Sequence, residues 1–586
     1  MATKSILAIF ISMYAAASAM AQAVNIDVEP GAYTIEEALQ KARIMRLHGD
    51  ADKFTLHLKS GIYRLNAPVV IRPEDNGVTI VGDSKAEISG GIRIENWHRE
   101  GKMWWAQVPR FNGRPLLFRQ MWVNGQKADR ARDVKNFDDM YRVLSLNKQK
   151  EEIYVPAAAV KKIAKSDGVE MVIHQMWCTA NLRIKNIKML GDSAALTFHQ
   201  PESHIEFRQP WPQPMVTSDG RNSAFYLANA KVLLDEKGEW WLDEKAERVY
   251  YIPRDGENMN SADVEVPALE TLVGMLGTVD NPVSNVTIDG VSFSYATWLR
   301  PSLYGHNPLQ AGMYMTEAYK IRPQISRPNG DHKLDNHGWV GRPSAAVTVN
   351  HANNVRIQNC VVTHCASTGI DFNENVVNGE VSRSLVEDCG GTGILIGTFG
   401  PAGHEAHQPY DPTDRRIACS GCLIANNIIT NVTNEDWGTV GIGAGYVRNI
   451  TIRNNEISEV SYTGISMGWG WNQQIGVMGN NRVERNLIHH YAKHMYDVAG
   501  IYTLGSQPHS FIQENTVRDI YAPPYAHDPN HWFYLYTDEG SNGITMRNNW
   551  TPSEKFLKNS NGPTNIWENN GPMVADSIKA LAGVEN

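Results

Sequence analysis

The sequence predicts an all-β protein, a right-handed parallel β-helix with an inserted antiparallel β-rich domain and an N-terminal capping helix. The first observation is a repeat with steps of 25, 43, 28, 31, 29 and 34 residues. The second is a corner residue shared by the repeats, at Asn359, Ser384, Asn427, Asn455, Asn486, Asn515 and Asn549. A period in the twenties with variable insertions is typical of a solenoid whose coils keep their length while loops vary.

Apolar residues alternate beside these corners, as at Val355 and Ile357 or at Ile450 and Ile452. Alternate side chains of a strand share one face, so these residues would fill the interior of the β-helix. Asparagines at one corner of successive coils can form a hydrogen-bonded ladder. A leucine-rich repeat protein is the structural alternative, but it requires recurring L-x-x-L-x-L units, which this chain lacks.

Residues 1–23 carry the features of a signal peptide. Lys4 precedes an apolar run from Ile6 to Met13, and Ala21-Gln22-Ala23 forms an A-x-A cleavage site. The apolar run is shorter than the ~20 residues needed to span a bilayer, which disfavours an anchor helix. We therefore expect a secreted or periplasmic protein that begins at Val24 and has no membrane association after cleavage.

Residues 24–102 are predicted to form the N-terminal cap and the first coils. The segment from Thr34 to Arg46 has apolar or small residues at 35, 38, 39 and 42, the spacing of an amphipathic helix. Two strand-like runs, FTLHLKSGIYRL and APVVIRPEDNGVTIVG, follow it. Because a β-helix exposes apolar core at its open end, a short amphipathic helix there would cover that end.

The sequence pattern changes over residues 103–265, which predict an inserted β-rich domain. Its segments alternate apolar and polar residues and turn at Asn-Gly and Lys-Gly, as antiparallel hairpins do. The repeat is absent here. We expect the tryptophans of this domain to form its own core rather than to bind a ligand.

Residues 266–575 are predicted to form the parallel β-helix catalytic domain, and it contains five of the six cysteines. Cys365 and Cys389 each lie four residues before a Gly-Ile pair, so they should stack on neighbouring coils, either as free thiols or as a disulfide. Cys419 and Cys422 form a lone CxxC without a second pair at ligand spacing, which disfavours a structural zinc.

Composition excludes several function classes. The formal net charge of −8 with 20% charged residues is unlike the basic surface that nucleic acid requires. The chain has 48 Gly, 16 Trp and 22 Tyr, a composition that suits turn-rich β structure with aromatic platforms for flat ligands. We therefore expect no nucleic-acid partner, no metal or other cofactor, and a monomer.

The long insertions of the β-helix fall in one region of the repeat, after Ile396, before Gly441, after Met467 and before Phe533. They bring together aromatic and imidazole side chains: Trp437, Trp469, Trp471, Tyr496, Tyr502, Trp532, Tyr534, Tyr536, His404, His407, His494 and His531. A sugar ring offers an apolar face for stacking and hydroxyls for hydrogen bonds, so this region predicts a carbohydrate site. The residues expected to bind substrate are Trp437, Trp469, Trp471, Tyr502, Trp532, Tyr536, His494, His404 and Glu539.

Two acids lie beside short tyrosine-containing strands in consecutive repeats. Asp497 precedes the strand with Tyr502, and Asp538 follows the strand with Tyr536. Cleavage of a glycosidic bond needs one carboxylic acid to protonate the leaving oxygen and a second carboxylate as nucleophile or base. The sequence therefore predicts Asp497 and Asp538 as the catalytic pair, with Glu539 close by and Glu435, Asp436 and Asp371 as outer candidates.

The register of the two strands conflicts with this pair. If Ile501 and Leu535 are equivalent core positions, Asp497 lies four residues before its strand centre and Asp538 three residues after its own. Straight strands would separate the carboxyl groups by far more than one coil. Either the chain around Asp497 folds back over the cleft, or the register is wrong and Glu539 replaces one member of the pair.

Several motifs resemble glycoside hydrolase family 141. They are HGWVGRPSAAVTV at 337–349, the Gly-Ile repeats, YDVAGIYTLG, LYTDEGS, MWVNGQKADRAR and RVYYIPRDGE, and the similarity covers about residues 30–570. The resemblance implies a parallel β-helix with an inserted β-domain, and an activity such as that of an α-L-fucosidase on pectic rhamnogalacturonan II or of a xylanase. It also implies two catalytic aspartates, in motifs matched here by Asp497 and Asp538.

Two other functions remain open on the same fold. A polysaccharide lyase would use a Lys or Arg base, for which Lys493 and Arg518 are available, often with Ca²⁺ held by clustered acids that this sequence lacks. A non-catalytic glycan-binding β-helix would keep the aromatics and need no paired acids. The expected function is a hydrolase of plant cell-wall polysaccharide, most simply an α-L-fucosidase, with an endo-xylanase as the alternative within the family.

Overall fold

The computed structural model describes residues 23–31, 34–50, 53–318 and 339–585. The predicted signal peptide at 1–23 lies outside the described residues except for Ala23, so its cleavage stays a prediction. No described helix has the length and the apolar content that crossing a bilayer would require.

The main body of the chain is a parallel β-helix, and its coils each contribute strands to three long sheets. In one coil these strands are Arg356–Gln358, Val361–Cys365 and Thr368–Phe372. The next coil starts with Glu380–Ser382, which pairs in parallel with Arg356–Gln358. A fourth sheet of two-residue strands lies between the third and first sheets in five coils. The predicted parallel β-helix is therefore confirmed.

The described strands of these four sheets follow in spatial order. Sheet 1 contains Ala23–Val28, Lys53–Leu58, Val78–Gly82, Thr287–Asp289, Arg356–Gln358, Glu380–Ser382, Leu423–Ala425, Thr451–Arg453, Arg482–Glu484, Ser506–Gln513, Asn542–Arg547 and Ile566–Glu568. Sheet 2 contains Gly61–Arg64, Ala86–Ser89, Ser292–Ala296, Val361–Cys365, Leu385–Glu387, Ile428–Thr430, Glu456–Ser458, Leu487–His489 and Thr516–Val517. Sheet 3 contains Val69–Ile71, Val273–Leu276, Ala345–Asn350, Thr368–Phe372, Ile394–Ile396, Ile442–Ala444, Ile465–Met467, Val498–Thr503, Trp532–Thr537 and Phe556–Lys558. Sheet 4 contains Val283–Ser284, Ala352–Asn353, Val376–Val377, Cys419–Ser420 and Val447–Arg448.

The inside of the β-helix is one continuous apolar core. Val355, Ile357, Ile450 and Ile452 are buried in it, as their alternation predicts. Cys365 and Cys389 form a parallel bridge between neighbouring coils, and the structure has both as free thiols. This arrangement matches the stacked-thiol interpretation of their spacing.

The corner between sheets 1 and 2 carries the predicted asparagine ladder. Each side-chain amide donates to Oδ1 of the asparagine in the next coil at 2.8–3.0 Å. The ladder runs through Asn427, Asn455, Asn486, Asn515, Asn549 and Asn570. The alignment was wrong at its first position. The ladder position of that coil is Cys360, whose N–H donates to Ser384 Oγ at 3.1 Å, whereas Asn359 is the preceding residue and bonds to Asp289.

The capping helix spans Ile35–His48, and it buries Ile35, Ala38, Leu39 and Ala42 against the core. Thr34 caps its first turn, since Thr34 Oγ1 accepts from the Glu37 N–H while the Glu37 carboxylate accepts from the Thr34 N–H. The helix therefore covers the apolar interior at the N-terminal end of the solenoid.

The inserted region is built from antiparallel sheets, as the hairpin patterns predict. Its four-stranded sheet contains Gln126–Lys127, Trp122–Val123, Val264–Pro267 and Gly91–Arg93. Its five-stranded sheet contains Asp129–Arg130, Glu239–Asp243, Arg248–Tyr251, Met103–Gln107 and His98–Glu100, the first pair being parallel. Its seven-stranded sheet contains Tyr141–Arg142, Ala224–Ala228, Glu170–Gln175, Cys178–Leu190, Ser193–Phe198, Glu152–Pro156 and Ser145–Asn147. Two hydrophobic clusters separate from that of the β-helix fill it.

Smaller elements complete the described chain. Short strands are Arg110–Phe111 with Arg114–Pro115, and Pro308–Gln310 with Met313–Met315 and Val340–Gly341. Short helices are Ala157–Val160, Glu202–Arg208, Arg300–Tyr304 and Asp576–Lys579, with 3₁₀ turns at Pro73–Asp75, Phe137–Asp139, Lys231–Leu233 and Arg415–Ile417. The predicted limits of the insertion, 103 and 265, stay predictions, because antiparallel strands extend from 91 to 267.

Candidate active site

A cavity of about 300 Å³ lies over the outer face of sheet 3, where the inserted domain meets the β-helix. The residues lining it are Met176, Trp177, Trp211, Leu309, Gln310, His407, Tyr462, Trp471, Asp497, Tyr502, Tyr536, Asp538, Glu539 and Asn559. Neighbouring strands of sheet 3 supply Tyr502 and Tyr536, which point away from the core because Ile501 and Leu535 occupy the inward positions. Both predicted catalytic aspartates therefore line one cavity.

Asp538 directly follows the strand Trp532–Thr537 and is held by two side-chain donors. Tyr502 donates its hydroxyl to Oδ2 at 2.5 Å, and Asn559 donates its amide to Oδ1 at 2.7 Å. Burial raises the pKa of Asp538 to about 6, although the Tyr502 hydrogen bond opposes this rise, and the negative charge of Asp497 adds to it. Asp538 thus has the perturbed pKa that a proton donor near neutral pH requires.

Asp497 has different surroundings. His531 Nε2 lies 3.1 Å from its Oδ1, and the Asp497 N–H donates to the His531 carbonyl at 2.7 Å. The hydrogen bond to Asp497 raises the pKa of His531, which favours the protonated imidazole. Lys493, four residues before Asp497, pairs with Glu459 at 3.2 Å.

The structure resolves the register conflict. Ile501 pairs with Leu535, so the predicted register is right. In that register Asp538 lies seven residues beyond the position opposite Asp497, which in straight strands would be about 23 Å. The strand Val498–Thr503 keeps this register on both sides of Gly500, where a Cβ would lie 2.2 Å from Val517. Asp497 directly precedes the strand and has a φ of 55°, so the chain turns there, and both acids line the same cavity.

Three phenols surround the acids. Tyr502, Tyr536 and Tyr462 have pKa values raised by burial, and nearby carboxylates raise them further. All three therefore stay protonated at neutral pH and can donate hydrogen bonds. Tyr462 donates to the Asp497 carbonyl at 2.9 Å, which fixes the backbone at the bend.

Six of the predicted site residues line the cavity: Trp471, Asp497, Tyr502, Tyr536, Asp538 and Glu539. Trp469 does not, because it is buried behind Trp471 with ring centroids 5.1 Å apart. The rings of Trp437 and His494 stack with their centroids 4.1 Å apart, and both residues line a different cavity between the domains. These three residues therefore do not line the cavity that holds the aspartates, because the position of an aromatic in a loop does not set the direction of its side chain, and their contacts with substrate stay predictions.

Two further aromatic predictions also fall outside the cavity. Trp532 is half-buried against the core, and Lys555 Nζ lies 3.7 Å from its ring centroid. His404 packs on Tyr410 and Tyr446 within the loop that follows Ile396. From that loop it is His407 that reaches the cavity.

The outer acid candidates form other ion pairs. Asp371 accepts from Arg342 Nε at 2.7 Å, Asp436 lies 3.0 Å from His306, and Glu435 lies 2.6 Å from Lys127. The candidate lyase bases are also paired, Lys493 with Glu459 and Arg518 with Asp519. No lysine or arginine is among the described residues lining the cavity, and the described chain has no cluster of acids, histidines or cysteines suited to a metal ion.

The sequence reasoning missed part of the cavity wall. Met176 and Trp177 form the tip of a hairpin of the inserted domain, and Trp211 follows the helix Glu202–Arg208. The expectation that tryptophans of this domain serve only its own core was therefore wrong for Trp177 and Trp211. One signal was available, because Met and Trp at a hairpin turn are unlike the Gly, Asn, Asp and Pro that turns favour.

Comparison with known proteins gives a match to a family model and a match to a solved structure of high similarity. Residues 101–254 match the family model of the GH141 insertion domain. A solved structure titled "Glycoside hydrolase" is 52% identical, with a TM-score of 0.94, covering 96% of this chain and 99% of that one. No curated protein matches.

Two distant structures also match. "The complex structure of XylC with xylose" is 12% identical with a TM-score of 0.45, covering 92% of this chain and 69% of that one. PfbA, a surface adhesin of Streptococcus pneumoniae, is 12% identical with a TM-score of 0.36, and the match covers 93% of this chain and 80% of that one. These values are too low to inform function. The match at 52% identity over nearly the whole length, together with the insertion-domain match, shows that this chain is an enzyme of glycoside hydrolase family 141.

Proposed function

We propose that the chain is an exported, monomeric α-L-fucosidase that removes fucose from the side chains of pectic rhamnogalacturonan II. In this proposal Asp538 is the general acid and Asp497 is the base or nucleophile. This assignment of roles rests on one observation, that the two carboxyl groups lining the cavity have different surroundings. Asp538 is half-buried with a raised pKa, whereas Asp497 is paired with His531.

This division of roles follows from the chemistry of glycosidic bonds. The departing oxygen needs a proton, so its donor must hold one near the working pH, as burial allows Asp538 to do. The other carboxylate must be ionised to attack the anomeric carbon or to activate water. His531 Nε2 lies 3.1 Å from Asp497 Oδ1, so a protonated imidazole there would pair with the carboxylate that this role requires.

The lining of the cavity supports a neutral sugar. Its described charged side chains are acidic or histidine, so a uronate carboxylate would meet no lysine or arginine there. Met176, Leu309, Trp177 and Trp211 form an apolar wall, which suits the face and the methyl group of a 6-deoxy sugar. Glu539 is exposed at the rim, where a carboxylate can accept hydrogen bonds from sugar hydroxyls.

The shape of the cavity favours release of a terminal sugar. Closure comes from Trp177 and Trp211 of the inserted domain and from Trp471 and His407 of the loops. The loop at 521–532 contributes no described lining residue, although its His531 pairs with Asp497. A space of about 300 Å³ suits one sugar ring better than an extended xylan chain.

Product analysis tests the proposal. Purified enzyme is incubated with rhamnogalacturonan II oligosaccharides and with xylan in parallel, and an Asp538→Asn variant serves as the control. Fucose from the first substrate alone supports the proposal. Xylo-oligosaccharides would identify an endo-xylanase, unsaturated products absorbing in the ultraviolet a lyase, and binding without products a glycan-binding protein.

A further inference from the structure

A hydrogen-bonded chain leads from the inserted-domain side of the cavity to the proposed acid. Gln310 Nε2 donates to Tyr502 Oη at 2.8 Å, and Tyr502 Oη donates to Asp538 Oδ2 at 2.5 Å. Gln310 is buried, with 5% of its surface exposed, and it lies in the short strand Pro308–Gln310, outside the coils that carry the two aspartates. No sequence feature singled it out.

The direction of this chain follows from the donors available. A phenol has one hydrogen, and its oxygen can also accept. Because Tyr502 Oη accepts from the Gln310 amide, its own hydrogen is left for Asp538. A donor to the phenol oxygen also polarises its O–H bond and strengthens the bond that the phenol donates.

We propose that Gln310 is a positioning residue that acts through Tyr502 to hold and tune the carboxyl group of Asp538. The proposal rests on the role of Asp538 as the general acid. Gln310 itself is not assigned to the reacting atoms. Its function is to keep the Tyr502 hydroxyl donating to Asp538 Oδ2. Because Asn559 donates to Oδ1, both carboxyl oxygens of Asp538 are then held in place in the cavity.

The inserted domain holds Gln310 in place. Trp177 Nε1 donates to the Leu309 carbonyl at 2.6 Å, and Gln209 Nε2 donates to the Pro308 carbonyl at 3.1 Å. Asn307 Nδ2 donates to the buried carboxyl of Glu206 at 2.8 Å. These contacts join the segment 307–310 to the domain on both sides of the cavity, which gives the insertion a direct part in arranging the active site.

The hydrogen bonds from Gln310 to Tyr502 and from Tyr502 to Asp538, here called the relay, oppose two effects on the pKa of Asp538. Burial and the charge of Asp497 both disfavour the ionised form of Asp538, whereas a donor to its carboxylate favours that form. The other titratable or charged groups facing Asp538 are Tyr462, Tyr536, the adjacent Glu539 and the more distant His531. Weakening the relay should therefore raise the pKa of Asp538.

The test compares Gln310→Met, which keeps the side-chain length and removes the donor, with wild type. The carboxyl of Asp538 is titrated by infrared difference spectroscopy, with Asp538→Asn as the blank. The expected upward shift is about half a pH unit, the size expected for the loss of part of one hydrogen bond. The alkaline limb of the kcat/KM profile should move by the same amount.

A double variant separates positioning from general support of the fold. Tyr502→Phe should raise the pKa of Asp538 at least as much as Gln310→Met, and adding Gln310→Met to Tyr502→Phe should cause no further shift. An unchanged infrared pKa in Gln310→Met, or additive shifts in the double variant, would overturn the proposal, even if stability or kcat fell. If Gln310→Met does not fold, Gln310→Glu replaces it. Its carboxylate competes for the phenol hydrogen, so the pKa of Asp538 should again rise, and an unchanged value overturns the proposal.

The two readouts distinguish the failure of this inference from the failure of the proposed function. If Asp538 is not the acid, the infrared pKa still shifts in Gln310→Met while the kinetic limb stays in place. That result would retain the relay as a property of the site and reject its catalytic role. If the infrared pKa does not shift, the relay itself is rejected whatever the enzyme cleaves.

Discussion

At the scale of single residues, the partners of the two aspartates distinguish them. Asp538 is half-buried and accepts from Tyr502 and Asn559, while Asp497 faces His531 at the bend before its strand. Such a difference between neighbouring carboxyl groups is the arrangement that separates an acid from a base or nucleophile. Two predictions follow from it at this scale.

The first concerns the loss of each carboxyl group. Asp497→Asn and Asp538→Asn should each lower turnover by at least ~10²-fold, because each removes a positioned proton donor or base. Thermal melting should show that both variants remain folded. Near-native activity in both variants would place the acids elsewhere, and Glu539 would be tested next.

An activated leaving group assigns the roles. A substrate with a phenolate leaving group needs little protonation, so it should restore bond cleavage in Asp538→Asn but not in Asp497→Asn. The control is the same pair of variants with a natural leaving group. Rescue of Asp497→Asn alone would exchange the two roles.

The second prediction concerns pH. Burial raises the pKa of Asp538 from 3.8 to about 6, so the protonated acid persists to that pH and is lost above it. The kcat/KM of a substrate with a poor leaving group should therefore fall above about pH 6. An activated phenolate substrate should lack this limb. A limb near pH 4 for both substrates would contradict the assignment.

At the scale of elements, the tryptophans of the inserted domain divide into two groups. Trp240 is 1% exposed and stacks on Phe118 at 5.1 Å within the core of the domain. Trp177 stands at a hairpin tip and lines the cavity. The same residue type therefore packs the core in one strand and lines the cavity in a hairpin turn of another sheet.

Replacement of Trp240 tests the packing role. Trp240→Ala should lower the free energy of unfolding by about 3–5 kcal/mol, the range for a large buried aromatic, because it leaves a cavity. Turnover of the folded fraction should change little. Denaturant unfolding and active-site-normalised kinetics measure the two effects, and a large loss of turnover with stability unchanged would place Trp240 at the active site.

Replacement of Trp177 tests the cavity wall. Trp177→Ala removes the hydrogen bond to the Leu309 carbonyl and an aromatic surface of the cavity, so kcat/KM should fall by about 10-fold or more, as for a contact of ~1–3 kcal/mol. Trp240→Ala is the matched control within the same domain. Equal activity of Trp177→Ala and wild type would show that substrate does not reach this wall.

At the scale of the whole molecule, the solenoid supplies a rigid face and the insertion supplies the cover. The asparagine ladder joins successive coils at the corner between sheets 1 and 2, and the continuous apolar core packs behind sheet 3. The inserted domain has its own cores and closes the cavity from outside. The candidate site therefore requires both parts of the chain.

Export is the prediction at this scale. The Ala21-Gln22-Ala23 site after the apolar run predicts cleavage before Val24. N-terminal sequencing of protein from the periplasm or the medium should begin at Val24, with protein from an Ala23→Leu variant as the control for processing. Exported protein that still begins at Met1 would contradict the prediction.

Local patterns in the sequence were sufficient for the elements. The capping helix follows from a capping box and four apolar positions, and the β-helix follows from alternation and a repeated corner. The same repeats located Asp497 and Asp538, because each acid lies beside a tyrosine-containing strand. Asn359 was misaligned by one residue because an Asn precedes the corner in that coil, where Cys360 takes the ladder position.

The sequence by itself determined the solenoid, the cap, the inserted hairpins and the two aspartates, since each depends on neighbours along the chain. Only the tertiary structure decided which side chains line the cavity around the two aspartates. Trp177 and Gln310 reach the cavity from segments far from Asp538 in sequence, and Trp437 and Trp469 turn into packed interiors instead. Side-chain direction and contacts between distant segments depend on packing of the whole molecule, and no local periodicity encodes them.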